Sequence, residues 1–225
     1  MIMLLRTMLS GVAVVLLLSF SFITEGKSMN RKSLHHAAQQ NDVALITQLL
    51  GEGAEVDARD GSGATALLVA THANAVAAAK ALIEAGADVN AKDNINDSAY
   101  LYAGARGHLE ILKMTLSHGA DLKSTNRYGG TALIPAAERG HVETVQVLIE
   151  AGSDVDYVNN LGWTALLEAI ILGDGSARYQ QIVALLVAAG ADVNLADGKG
   201  VTPLQHAQNA NYPDIESILI TAGAR

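Results

Sequence analysis

The 225-residue chain has no cysteine, three prolines, one tryptophan and two phenylalanines, and aromatics make up only 4% of it. Without cysteine there are no disulfides, no cysteine-held metals, no thiol nucleophile and no acylated lipoprotein cysteine. So few aromatics argue against a thick globular core and for thin layers of small aliphatic side chains. Positive charge is scarce as well: 15 Lys and Arg face 23 Asp and Glu, for a net charge of −8. The basic residues form no stripe, so the electrostatic footprint that nucleic acid requires is missing. No phosphate-cradling glycine loop, nucleophile elbow or carboxylate pair stands out. The chain therefore reads as a non-enzyme that needs no cofactor and no metal.

What the sequence has is repetition. "LIEAGADVNA" (82–91) returns as "LLGEGAEVDA", "LSHGADLKS", "LIEAGSDVDY", "LVAAGADVNL" and a final "LITAGAR". The glycines of this phrase are Gly53, Gly86, Gly119, Gly152, Gly190 and Gly223, so one period recurs with a single five-residue break. A fixed period of this size signals stacked repeats. A second phrase keeps the same period: "TALLVA" (65–70), "SAYLYA" (98–103), "TALIPA" (131–136), "TALLEA" (164–169) and "TPLQHA" (202–207), with a worn "KSLHHA" at 32–37. "RGHLEILKM" and "RGHVETVQV" lie between the two.

Each repeat can be read as two helices. Thr65 is placed to cap the first, its hydroxyl accepting from first-turn N–H groups. Leu67 and Ala70, three apart, share a face, and the small Ala70 admits a close neighbour. Gly107-His108 breaks the helix. Leu109, Ile111, Leu112 and Leu116 then recur at helical spacing until Gly119 ends the second helix in a left-handed residue. One such pair cannot bury its apolar faces alone, whereas a stack can.

These three phrases, in this order and at this period, resemble the ankyrin repeat over residues 30–225. The resemblance implies an all-α ankyrin-repeat solenoid of helix-turn-helix units with hairpin-like loops. Six repeats are expected, at 30–59, 60–92, 93–125, 126–158, 159–196 and 197–225. It also implies a bacterial-type, exported monomer that binds another protein through loop tips and first-helix ends lining a concave groove. Departures from the pattern carry their own expectations. Leu68, Leu101, Ile134, Leu167 and Gln205 replace the family's loop-bracing histidine, so loop rigidity is expected to come from packing. Ser98 and Asn96 replace a capping threonine and a loop glycine. Pro135, in the first turn of its helix, removes an internal hydrogen bond and predicts a slight distortion.

Residues 1–28 fall outside the repeats. "TMLSGVAVVLLLSFSFIT" (7–24) follows one arginine and is uncharged. This is a secretory signal pattern, and the run also has about the length of a short membrane span. Three readings stand: export with cleavage to the periplasm or beyond, an uncleaved membrane anchor, or a start at Met29.

The site expectations centre on the fifth repeat. Leu161, Trp163, Ile171 and Leu172 are apolar where its neighbours are polar. Tyr128, Arg127 and Arg139 from the previous layer border them, and Arg106 lies one layer further back. An aromatic anchor with arginines at its edge has the composition of a binding hot spot. Trp163 is expected to project into the groove. The extra residues at 173–181 are expected to form a loop, which either leaves this patch free or folds back over it. An alternative reading makes that loop a ligand-binding or enzyme-accessory site. His108 and His141 recur with the repeat and are read as structural. The adjacent His35 and His36 point to different faces and make no metal site. The acidic series Asp88, Asp121, Asp154 and Asp192 is read as turn-forming.

Overall fold

The computed structural model describes residues 33–225. The readings placed on residues 1–28 and on Met29 lie outside the described residues. Among those described, no helix is long and apolar enough to cross a membrane.

Six helix pairs follow one another: α1 (Leu34–Gln39) and α2 (Val43–Gly51), α3 (Ala66–His72) and α4 (Val76–Glu84), α5 (Ala99–Arg106) and α6 (Leu109–Ser117). Then come α7 (Leu133–Glu138) and α8 (Val142–Glu150), α9 (Ala165–Ile171) and α10 (Ala177–Ala188), α11 (Pro203–Asn209) and α12 (Pro213–Thr221). First helices stack on first helices and second on second, giving the expected solenoid. The alanine that closes the second phrase is fully buried in every layer, as Ala37, Ala70, Ala103, Ala136, Ala169 and Ala207. Small residues let the first helices approach closely. At Gly104 a Cβ would lie 2.8 Å from the Cβ of Ala132, so α5 meets the next layer where no side chain fits.

The caps follow the sequence with one exception. Thr65, Ser98, Thr164 and Thr202 each accept a hydrogen bond from the N–H three residues on, so the serine of the third repeat does the work of the threonine. Asn96 takes the positive φ (65°) that its missing loop glycine would have adopted. The exception is Thr131. The carbonyls of Thr65, Ser98 and Thr164 accept from Val69, Tyr102 and Glu168, but Pro135 has no N–H for that of Thr131. α7 consequently starts one residue late, at Leu133, and the Thr131 hydroxyl is buried without a hydrogen-bond partner. The distortion expected from Pro135 is present.

Loop rigidity has a different source from the one expected. Instead of packing alone, one Asx side chain braces each loop. Asp60, Asp93, Asn126, Asn159 and Asp197 each accept from the N–H groups two and four residues on. A single side-chain oxygen thus satisfies two turn donors that would otherwise compete for water. The acidic series forms the expected turns: Asp88, Asp121, Asp154 and Asp192 each accept from the N–H two residues on. It also ties layers together. Asp57, Asn90, Asp156 and Asn194 accept from the backbone of Asp88, Asp121, Asp192 and Arg225 in the following layer. The rung due between the third and fourth repeats falls on Lys123, which has no acceptor to offer.

The period break is also not simply a loop. Residues 173–176 make the turn, and from Ala177 the extra residues continue as helix, so α10 has 12 residues where α8 has 9. The reason is register. Tyr179 falls in line with Ile182, Val183 and Leu186, extending the buried stripe by one turn. The Tyr179 hydroxyl donates to the Glu138 carbonyl at 2.9 Å, and Tyr212 from the next layer closes the turn through the Gly173 carbonyl.

Candidate functional site

The loops and first helices of the third, fourth and fifth repeats enclose a cavity of about 310 Å³. Its floor is a single row, because Tyr102, Pro135 and Glu168 hold the same place in α5, α7 and α9. Leu101 and Ile134 line it from beside that row, and Leu161 and Leu172 from the fifth repeat. Six of the eight residues singled out from sequence line the cavity: Arg106, Arg127, Tyr128, Arg139, Leu161 and Leu172. Tyr128 and Leu161 are each 58% exposed and Leu172 is 49% exposed. The turn at 173–176 therefore does not cover them.

Trp163 and Ile171 stand outside the cavity lining, and both are half-buried. Trp163 is fixed through its backbone, its N–H donating to Asn159 Oδ1 and its carbonyl accepting from the Asn159 N–H. Its counterparts Asp97 and Gly130 line the cavity, so Trp163 continues the same row one layer further on.

The arginines are engaged. Arg127 reaches Asp97 at 3.4 Å and lies over the Tyr128 ring. Arg139 donates to the Ala105 carbonyl at 2.7 Å and faces Glu138 at 4.0 Å. Arg106 lies over the Tyr102 ring. Burial raises the Asp97 carboxyl above its usual range, and the Arg127 charge works against that rise. His108 and His141, held below the ordinary imidazole value chiefly by burial, begin second helices, and His108 donates to the Thr71 carbonyl. Among the described residues, no group of three or more His, Asp or Glu side chains is placed to hold a metal ion.

Sequence reasoning missed Glu168. It is 5% exposed and lines the cavity, and Asn159 Nδ2 donates to its Oε1 at 2.8 Å. Burial, with Glu138 nearby, pushes its carboxyl up to about 7. A signal for it existed in the repeat. The bracing Asx of a loop lies nine residues before this helix position, and the sixth repeat joins the same two places as Asp197 and His206, 3.0 Å apart. In the fifth repeat the pair is an amide and an acid.

The comparisons with known proteins agree in kind. A sequence model of ankyrin repeats (three copies) matches residues 10–93, 34–126 and 100–197. An ankyrin repeat protein of Escherichia coli K12, YahD, is 46% identical over 57 residues, which is 25% of this chain and only 28% of that protein. The crystal structure of an ankyrin repeat domain from Acinetobacter baumannii AYE is 68% identical, with a TM-score of 0.84 over 85% of this chain and 98% of that one. The ankyrin repeat domain of Bcl-3, described as a member of the IκB family, is 28% identical with a TM-score of 0.76, covering 85% and 86%.

Proposed function

We propose a function from one premise: this chain belongs to the ankyrin-repeat family. Ankyrin repeats are protein–protein interaction modules. The protein works by binding a partner protein in the groove of its third to fifth repeats, without catalysis. The observation that carries this reading is the exposure of Leu161, Leu172 and Tyr128 around one cavity. Apolar side chains gathered at a concavity and bordered by arginines have the make-up of an interface core and rim. Trp163, in the same layer as Leu161 and Leu172, extends the same surface beyond the cavity lining.

The partner meets the protein outside the cytosol. Supporting this is the uncharged apolar run at 7–24, which suits a cleaved signal or a membrane tether. Two experiments test the proposal. Affinity capture with the full chain should retain a partner that Leu161→Asp with Tyr128→Ala releases, and equal retention by both proteins would sink the groove assignment. Sequencing of native material recovered outside the cytosol should give an N-terminus between residues 22 and 30 that is produced by cleavage of the chain begun at Met1, or the intact chain should be found in the membrane. Intact chain in the soluble cytosol would sink the export assignment, as would initiation at Met29.

A further inference from the structure

The cavity is not uniformly apolar, and its charges are not uniformly matched. Asp97 is answered by Arg127 and Glu138 by Arg139. Glu168 is different. It is the most deeply placed of the three acids, and its one hydrogen bond among the described residues comes from a neutral amide. Around it the cavity offers apolar surface from Ile134, Leu161 and Leu172. A fitting occupant therefore has an apolar stem to lie on these side chains and a cationic tip to meet the carboxylate, which describes a lysine or arginine side chain.

The geometry points to Glu168 as the counter-charge for a basic side chain that the partner inserts into this cavity. The inference rests on the groove reading above and deepens it by naming what the floor recognises. The rim arginines do not oppose entry strongly, since Arg127 and Arg139 already share carboxylates and Arg106 lies over Tyr102. Leaving a buried carboxylate without a cation is costly, and pairing it recovers that cost on binding.

Charge at Glu168 responds to its surroundings. Burial acts first, Glu138 of α7 raises the carboxyl further, and Arg139 and the Asn159 amide pull it down, for a value of about 7. α11 packs on the other side of α9 and carries His206 at the matching repeat position, itself held by Asp197. A cation requires the ionised form, about a tenth of molecules at pH 6 and about nine-tenths at pH 8, so affinity should rise about tenfold between them.

The test uses the full chain with n-butylammonium and n-propylguanidinium, the lysine and arginine side chains cut at Cβ, and n-butyrate as the anionic counterpart. NMR titrations at pH 6 and pH 8 should show either cation binding about tenfold tighter at pH 8, and butyrate not binding. Glu168→Gln keeps the Oε1 that Asn159 uses, and it should weaken cation binding at pH 8 at least tenfold and abolish the pH dependence. Cation binding untouched by that substitution, tighter at pH 6, or matched by butyrate would overturn the assignment. Retention of the captured partner by Glu168→Gln would overturn it too, while leaving the groove reading intact. Retention by the Leu161→Asp, Tyr128→Ala protein would instead remove the groove reading.

Discussion

Glu168 gives the clearest quantity at the scale of single residues. An acid whose carboxyl is raised in the folded state binds its proton more tightly folded than unfolded. Stability conferred by the neutral form is therefore complete at low pH. It is lost as pH climbs from the unfolded value of 4.5 to the folded value of about 7, and is constant beyond. The whole difference corresponds to up to about 3 kcal/mol. Glu168→Gln should remove the slope, so that the variant matches the parent near pH 5 and melts higher at pH 8. Parallel melting curves at both values would show that Glu168 is solvated. A second pair of substitutions separates binding from folding. Leu161→Ala removes an exposed side chain and should leave melting within about 0.5 kcal/mol of the parent while weakening partner binding. Trp163→Ala should weaken binding by about 2–4 kcal/mol if the row it continues is part of the interface. Being half-buried, it should also lower melting measurably. A large melting loss with normal affinity would make Trp163 a structural residue. Leu161, Trp163, Ile171 and Leu172 could be picked from sequence because apolar groups broke a polar column of the repeat, and Tyr128 and the three arginines because earlier layers place them at the edge of that break. Glu168 could not be picked that way, because an acid inside a helix carries no mark of burial until the loop residue nine places earlier is seen to touch it.

At the scale of elements the period made the helices legible and capping made their starts legible. Serine serving at 98 and Asn96 turning with positive φ show that the pattern constrains roles more tightly than residue types. What stayed hidden was how the five extra residues divide between turn and helix. Only the alignment of Tyr179 with the buried stripe of α10 decides that, and a tyrosine beside a glycine-rich turn reads equally well as loop. The source of loop stiffness was hidden for a related reason, since an Asx residue is polar and common in turns whether or not it braces one. Packing within an element gives a direct prediction. Leu133 in α7 is fully buried, and Leu133→Ala should cost about 2–5 kcal/mol in chemical denaturation. A cost under 1 kcal/mol would mean that the fourth layer collapses around the gap.

For the whole molecule, each layer leans on the next. Removing Asp197–Arg225 would uncover the faces of α9 and α10 that α11 and α12 now cover. The truncated protein should associate in analytical ultracentrifugation, and a monomer with the melting behaviour of the full chain would contradict the stacking. The hydrogen-bonded rail along the loop edge is interrupted at Lys123, and the layer just beyond it is the one whose opening turn Pro135 shortens. A rod with one loosened joint bends there first. The joint falls between the third and fourth layers, two of the three that line the cavity, so a partner seated across the third to fifth layers would span it, and its arrival would splint the rod. Amide hydrogens around residues 121–136 should accordingly exchange fastest within the stack when the groove is empty and slow most when it is filled.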